Sequence, residues 1–463
     1  MRRKAAGPCP IPVSIPGPAR NWGRVARRPE GSPVPESQAQ PWGSGAGFGA
    51  AFAEWRRQGR KGRFWSFLGP AFIGGIAYID PGNFVTNIAA GSRYGDRLLW
   101  VVVYANLTAV AISMLAARLG IASGRNLAEN CRVHLPRWIS MFLWVAAEGA
   151  GVATDFAEVL GAVLGLRLVL GLSVGPALAL IFGLCLVLAD LSDRGHRALE
   201  YGMIAIVGIV GVLGIWQWHV ARTPAFPWHL SALVVPGLPP GGLWMAVGLF
   251  GATVMPHAIF LQSATVLPRE RRSPPAQRPA LFRMAQADIL VALGLASFIN
   301  VAMLLTAAAI FVPRAVVLSS LTKAAHVIGQ GLGPAAALGF GLALMASGLG
   351  ASIAGTVAGN LILEGFTGMR MKRVLRRIAT FIPTAALILR LPDPGRWLVA
   401  SQVVLTIALP FAVIPLVWFN AAPRVVGEAS LRRMPLALGV MLGAVIVAIN
   451  GWSLCAPGTF AAL

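Results

Sequence analysis

Apolar blocks of about 20 residues recur along almost the whole chain, and they constrain the fold more than any other feature. A helix needs about 20 mostly apolar residues to cross the hydrocarbon core of a bilayer. Apolar residues fill 56% of the 463 positions and charged residues only 12%, about half the charged share of a typical soluble domain. The sequence therefore predicts an all-α polytopic membrane protein.

The apolar segments number eleven, which predicts about 11 transmembrane helices. They cover residues 66–90, 98–121, 138–165, 168–190, 198–220, 241–267, 284–312, 335–363, 375–392, 397–419 and 434–455. Residues 1–62 precede them and are rich in Pro, Gly, Ser and Arg, a composition typical of a disordered basic tail.

The formal net charge of +22 follows the membrane topology. Lys and Arg concentrate in the tail and in the loops after even-numbered segments, such as 268–283 and 368–377. By the positive-inside rule these regions are cytoplasmic, which places the N-terminus inside and the C-terminus outside. This interpretation needs no nucleic-acid partner. The Ala, Gly and Arg bias is typical of a GC-rich bacterial genome, so we expect a multi-pass protein of the cell (inner or plasma) membrane.

Two segments are interrupted where a spanning helix should be continuous. The first contains Asp80, Pro81 and Gly82, and the sixth contains Pro256 and His257. A charged side chain at the bilayer centre costs roughly 2.5–3.5 kcal/mol, and proline in a helix interior costs about 3 kcal/mol. Features this unfavourable in a membrane helix point to a function.

The two interrupted segments lie five segments apart, so they run in opposite directions through the membrane. Interruptions at corresponding places in two halves indicate a transporter built from inverted repeats. We expect the first repeat at 63–220, the second at 221–420, and segment eleven with the C-terminus at 421–463.

Each proline removes one helical hydrogen-bond donor and frees the carbonyl four residues earlier. Pro81 frees the carbonyl of Ala77, and Pro256 frees that of Ala252. Within a membrane, such unpaired groups persist only where they line a cavity or a site. The two carbonyls are therefore candidate ligands.

The residues around the two interruptions predict a cation site. Asp80 offers a carboxylate, Asn83 an amide oxygen, Met255 a thioether and His257 an imidazole. Oxygen ligands alone suit magnesium or calcium, whereas a thioether favours softer transition metals. Manganese and iron(II) are the natural candidates, and the set would converge if the two interruptions meet at mid-membrane.

Several motifs resemble the natural resistance-associated macrophage protein family of divalent-metal transporters. They are IDPGNF in segment one, GRNLAENCR after segment two, AEGAGVATDFAEVLG in segment three, GATVMPHAIFLQSA in segment six and SQVVLTIALPFAVIPL in segment ten. The resemblance spans about residues 66–455. It implies a leucine-transporter-like fold of five plus five helices with broken helices one and six, and proton-coupled import of manganese or iron.

The resemblance also implies specific residue roles. The implied metal ligands are Asp80, Asn83, Met255 and the carbonyls of Ala252 and Ala77. The implied proton pathway consists of Asp80, His257, Glu148, Asp155, Glu158, Arg376 and Arg377. The three acids of segment three share one helix face within roughly 80°, as a proton pathway requires. A static ion-pair network with the two arginines is the alternative.

Five positions depart from the family pattern. They are Ala258 and Gln262 in segment six, Leu349 and Gly350 in segment eight, and Ala408 in segment ten. Gln262 stands where a second histidine is usual, which bears on proton coupling. Ala408 stands where a glutamine near the metal is expected, which bears on metal affinity.

Other functions fit less well. A sodium-coupled amino-acid symporter shares the fold, but Asp80 would repel a substrate carboxylate. A magnesium carrier gains little from Met255. A membrane protein that senses metal without transporting it stays open. There is no HExxH motif or CxxC pair to indicate an enzyme or a zinc site. We expect a monomer without a cofactor, whose partners are divalent metal ions, protons and the lipid bilayer.

Overall fold

The computed structural model describes residues 78–194, 208–215, 219, 229–271, 275–314, 321–390, 394–430, 440–441 and 444. The predicted tail, the first half of segment one and most of segments five and eleven lie outside these residues.

The described part of the chain is helical and contains no strand. Its helices are α1 (Pro81–Tyr94), α2 (Leu99–Ser123), α3 (Leu127–His134), α4 (Arg137–Leu170), α5 (Val174–Arg194), α6 (Leu243–Thr253), α7 (Pro256–Thr265), α8 (Leu267–Glu270), α9 (Arg278–Phe311), α10 (Leu321–Leu332), α11 (Pro334–Thr367), α12 (Arg373–Arg390), α13 (Pro394–Ala421) and α14 (Pro423–Val426).

Five helical stretches of the described residues are long and apolar enough to cross a membrane. They are Leu99–Ser123, Leu243–Glu270, Arg278–Arg314, Pro334–Thr367 and Trp397–Ala421. The second of these contains the interruption between α6 and α7, as expected for segment six.

Helices α4 and α5 meet the same criterion only as a pair, bent by 116° at a short break. Segment three was expected to end at residue 165, but α4 continues to Leu170. It ends there because Gly171 adopts a left-handed conformation, with φ of 68°, that closes the helix. The apolar pattern continues across this turn, so hydropathy alone misplaced the boundary.

Small residues let the central helices approach closely. Helix α4 packs along α11, and a Cβ atom added to Gly165 would lie 2.4 Å from the backbone nitrogen of Met345. Helix α6 packs against α13 in the same way, since a Cβ atom on Gly251 would lie 2.1 Å from the carbonyl oxygen of Gln402. Such contacts are typical of membrane helix bundles, where small residues replace the hydrophobic driving force.

The outer surface of the bundle carries many large apolar side chains. Leu107, Val145 and Trp138 are 62%, 60% and 74% exposed. A soluble monomer rarely exposes extended apolar surface, whereas lipid-facing helices do.

Candidate metal site

The first interruption is the start of a half-helix. Helix α1 begins at Pro81, and Asp80 immediately before it has an extended backbone and caps the helix. The Asp80 carboxylate accepts hydrogen bonds from the backbone nitrogens of Gly82 and Asn83 at 3.0 and 2.9 Å. The carboxylate is 1% exposed, and the positive end of the helix dipole stabilises its charge there.

The second interruption separates α6 from α7. Helix α6 ends at Thr253, and Val254 and Met255 are extended, with φ of −104° and −97°. Helix α7 begins at Pro256. The proline therefore stands at the first position of a half-helix, as Pro81 does.

Asn83 joins the two interruptions. Its Nδ2 atom donates to Asp80 Oδ1 and to the carbonyl oxygen of Ala252, both at 2.8 Å, and to the carbonyl oxygen of Tyr78 at 3.3 Å. Its Oδ1 atom accepts from the Thr253 hydroxyl at 3.1 Å. One amide group thus lies between three oxygen atoms contributed by both halves of the protein.

Gln402 on α13 is a site residue that sequence analysis missed. A Cβ atom added to Gly82 would lie 2.5 Å from Gln402 Cδ and 2.7 Å from Asp80 Oδ2, so the amide and the carboxylate approach the same point. Gln402 is fully buried, and its Oε1 atom has no hydrogen-bond partner among the described residues. Segment ten therefore does bring an amide to the site, although Ala408 itself packs against the apolar core.

Met255 is 1% exposed and lies in the extended stretch between the two half-helices. The described residues contain no group of three or more His, Cys, Asp or Glu side chains suited to a metal ion. Any cation held at Asp80 would therefore be bound by one carboxylate together with amide, carbonyl and thioether groups.

The other carbonyl groups of the first interruption are bound by neighbouring helices. The carbonyl oxygen of Tyr78 accepts from Asn300 on α9 at 3.3 Å, and that of Ile79 accepts from Ser347 on α11 at 2.5 Å. Within a membrane, backbone carbonyl groups that lack a helical partner need another hydrogen bond. Asn300 and Ser347 provide it here. Ala77, the other predicted carbonyl ligand, lies outside the described residues.

His257 is buried close to the site, with 2% exposure. The His257 Nδ1 atom lies 3.2 Å from Thr154 Oγ1, a hydroxyl that is also 3.0 Å from the carbonyl oxygen of Ala150. The His257 Nε2 atom has no hydrogen-bond partner among the described residues.

The three acids of segment three lie on α4 in two different environments. Glu148 pairs with Arg376, with Oε2 and Nη2 2.5 Å apart, and Asp155 pairs with Arg377, with Oδ1 and Nη1 3.0 Å apart. Glu158 is fully buried, and neither of its carboxyl oxygens has a hydrogen-bond partner among the described residues. Two of the acids thus belong to ion pairs, whereas the third has no hydrogen-bond partner among the described residues.

The departures in segments six and eight are buried positions. Ala258 and Gln262 lie on α7, with exposures of 1% and 3%, and Leu349 lies on α11 with 8%. Gln262 therefore keeps a polar group inside the protein at the position where the family resemblance led us to expect a second histidine.

Comparison with protein families places most of the chain in one of them. The sequence model described as "Natural resistance-associated macrophage protein-like" matches residues 71–456. The divalent metal cation transporter MntH of Deinococcus radiodurans is 43% identical over 394 residues, which cover 85% of this chain and 90% of that protein. The protein of the same name from Bacillus subtilis is 39% identical, with 83% and 90% covered.

Solved structures agree with this placement. A crystal structure of a variant manganese transporter from Eremococcus coleocola matches with a TM-score of 0.77 and 26% identity, covering 87% of this chain and 90% of that one. Mhp1, a nucleobase-cation-symport-1 family transporter, matches with a TM-score of 0.56 at 14% identity, which supports the fold alone.

Proposed function

Because the chain belongs to the natural resistance-associated macrophage protein family, we propose that it is a secondary transporter that imports divalent transition-metal ions, manganese or iron(II), together with protons. The protein is an integral membrane protein. We place it in the plasma membrane with its N-terminus and basic loops in the cytoplasm, as the distribution of Lys and Arg favours.

The observation that carries the proposal is the convergence of both interruptions on Asn83, whose amide contacts Asp80 from one half-helix and Ala252 from the other. We propose that the metal is held by Asp80, Asn83, Met255 and the carbonyl oxygens of Ala252 and Ala77. The amide oxygen of Gln402 would join them, because it has no partner among the described residues and its amide group approaches Gly82 on the same side as the Asp80 carboxylate.

Binding requires one local rearrangement. The Nδ2 group of Asn83 now lies between the oxygen atoms that the cation would contact, and its Oδ1 atom faces Thr253. Rotation of the amide by about 180° would turn Oδ1 toward the metal and remove the competing donor. The cation would then replace the positive end of the amide dipole.

Metal choice follows from the ligands. Five oxygen atoms alone would serve calcium or magnesium, whereas the Met255 sulfur contributes more to softer ions such as manganese and iron(II). A dehydrated cation also needs charge compensation in this buried site, and Asp80 is the carboxylate that supplies it.

Proton coupling follows from the same carboxylate. When the dication binds, Asp80 must be ionised, so any proton it carries is released into the interior of the bundle. Glu158 lies on α4 about one turn before Gly161, where that helix packs against Pro81 next to Asp80, and it has no hydrogen-bond partner among the described residues. We propose that the proton passes to Glu158 and leaves toward the cytoplasm along the face that carries Asp155 and Glu148, whose partners are Arg377 and Arg376. His257 lies beside this route.

The first test is manganese uptake into proteoliposomes with and without an inward proton gradient, in the presence of excess calcium, for the wild type and Asp80→Ala. We expect saturable, calcium-resistant uptake that the gradient stimulates and the variant loses. If the wild type binds manganese but does not move it, the metal-sensing alternative is favoured and the transport proposal fails. Manganese uptake that does not depend on the proton gradient would refute proton coupling but not metal transport.

A further inference from the structure

Glu158 is an exception among the buried acids that the structure describes, since neither of its carboxyl oxygens has a hydrogen-bond partner there. Buried polar groups nearly always have hydrogen-bond partners, and each one that does not needs an explanation. The other two acids of α4, Glu148 and Asp155, contact arginines. Glu158 is more enclosed than either of them, with 0% exposure, yet both of its carboxyl oxygens lack a partner within the described residues.

The carboxyl group of Glu158 lies against a glycine of α11. A Cβ atom added to Gly355 would lie 2.9 Å from Oε2 and 3.2 Å from Oε1 of Glu158. Any side chain at position 355 would therefore occupy space that the carboxyl group now uses. The Glu158 carboxyl group fits here because residue 355 has no side chain, and no hydrogen bond among the described residues holds it.

A second glycine on this face of α11 has a different neighbour. Gly348 lies two turns before Gly355, and a Cβ atom there would lie 2.6 Å from the backbone nitrogen of Ala162 and 2.7 Å from the carbonyl oxygen of Glu158. Those are backbone contacts, which makes Gly348 a packing residue. By contrast, the three atoms nearest to a Cβ atom on Gly355 all belong to the carboxyl group of Glu158.

The arrangement recurs one helical turn later. A Cβ atom on Gly359 would lie 2.9 Å from Nη2 and 3.0 Å from Nε of Arg376, the partner of Glu148. On two successive turns of α11, a glycine thus leaves space for an ionisable side chain of the proposed pathway: Gly355 for Glu158 and Gly359 for Arg376.

We propose that Gly355 is a positioning residue for proton transfer. By leaving space at this point, it lets the carboxyl group of Glu158 lie in a helix interface without an ion-pair or hydrogen-bond partner. An acid in an ion pair must lose that pair when it is protonated, whereas Glu158 gains and releases a proton without breaking a contact. The inference rests on the proposed proton coupling and names a residue on which that coupling depends.

The test is Gly355→Ala, measured in proteoliposomes that contain a pH-sensitive dye. The added methyl group displaces the carboxyl group, and a misplacement of about 1 Å can slow a positioned reaction on the order of 100-fold. We expect proton influx during manganese uptake to fall on the order of 10- to 100-fold and the dependence of uptake on external pH to flatten. Equilibrium manganese binding, which depends on residues elsewhere, reports whether the variant is folded.

Two further variants separate positioning from general damage. Gly294→Ala on α9 is the matched control, since no atom lies within 4 Å of its added Cβ, and it should behave as the wild type. Gly355→Ala combined with Glu158→Asp shortens the acid by one methylene and makes room for the methyl group. The double variant should recover proton influx relative to Gly355→Ala, because residues in contact give non-additive effects.

The outcomes distinguish the inference from the proposed function. If the wild type moves manganese and protons and Gly355→Ala does the same with an unchanged pH profile, Gly355 has no positioning role. Additive losses in the double variant would likewise contradict direct contact with Glu158. If the wild type itself moves no protons with manganese, the proposed coupling is wrong before Gly355 is considered.

Discussion

The two interruptions look equivalent in sequence, because each has a proline at the first position of a half-helix, yet they differ chemically. Asp80 caps its own helix through two backbone hydrogen bonds. Met255 stands at the same place before α7 and makes no such side-chain hydrogen bond. The first interruption supplies charge and donors, while the second supplies a carbonyl oxygen and a sulfur atom. Each is incomplete alone, so the site exists only where they meet.

The largest expected effect comes from separating the two roles of Asp80. Asn caps helices about as well as Asp, so Asp80→Asn should keep α1 in place while removing the negative charge. We expect the variant to match the wild type in thermal stability in detergent and to show no detectable manganese uptake. A loss of stability as large as that of Asp80→Ala would mean that the carboxylate mainly maintains the half-helix.

Met255→Ala tests the contribution of the second interruption. Without the thioether, the remaining ligands are oxygen atoms, which discriminate poorly between manganese and calcium. We expect the ratio of manganese to calcium affinity, measured by isothermal titration calorimetry, to fall on the order of tenfold, through weaker manganese binding. Met255→Leu is the control for packing and should give the same ratio as alanine. An unchanged ratio in both variants would exclude the sulfur as a ligand.

The smallest expected effect concerns the Thr253 hydroxyl, whose single proton is shared between Asn83 Oδ1 at 3.1 Å and the carbonyl oxygen of Leu249 at 2.9 Å. Removing the hydrogen bond to Asn83 in Thr253→Val should favour the rotated amide. A typical hydrogen bond contributes about 0.5–1.5 kcal/mol, so manganese should bind roughly 2- to 10-fold more tightly. Thr253→Ser keeps the hydroxyl and should match the wild type. Weaker binding in the valine variant would indicate that the threonine itself contacts the metal.

Much of the site could be predicted because it depends on residues that are costly in a membrane. Asp80 and the two prolines stand out in an apolar sequence, and proline geometry identified the Ala252 carbonyl that Asn83 contacts. Their roles as metal ligands stay predictions. The fold followed from the spacing of the interruptions and from the family motifs.

Gln402 could not be found in this way. It lies within helix α13, carries no charge and adjoins no break. The family motif SQVVLTIALPFAVIPL includes it, but the motif alone did not indicate that its side chain approaches Asp80. Only the close approach of α1 to α13 at Gly82 brings it to Asp80. Contacts of this kind depend on tertiary packing, which hydropathy does not encode.

The short helix α3 was missed for a different reason. Asn126 and Glu129 form a reciprocal capping box at its start, a signal that the sequence does contain. Segmentation by hydropathy passes over it because the helix is polar and lies between two apolar segments.

The contacts of Asn83 also bear on how a carrier returns after it has released its cargo. A second carboxylate at this position would bind a dication more strongly. During the return step of the empty transporter, however, it would leave two negative charges facing each other in an apolar interior. An amide avoids this cost, because its NH₂ group can turn to Asp80 and to the Ala252 carbonyl once the ion has left. The same side chain can therefore serve the loaded and the unloaded carrier, and it does so without any change in net charge.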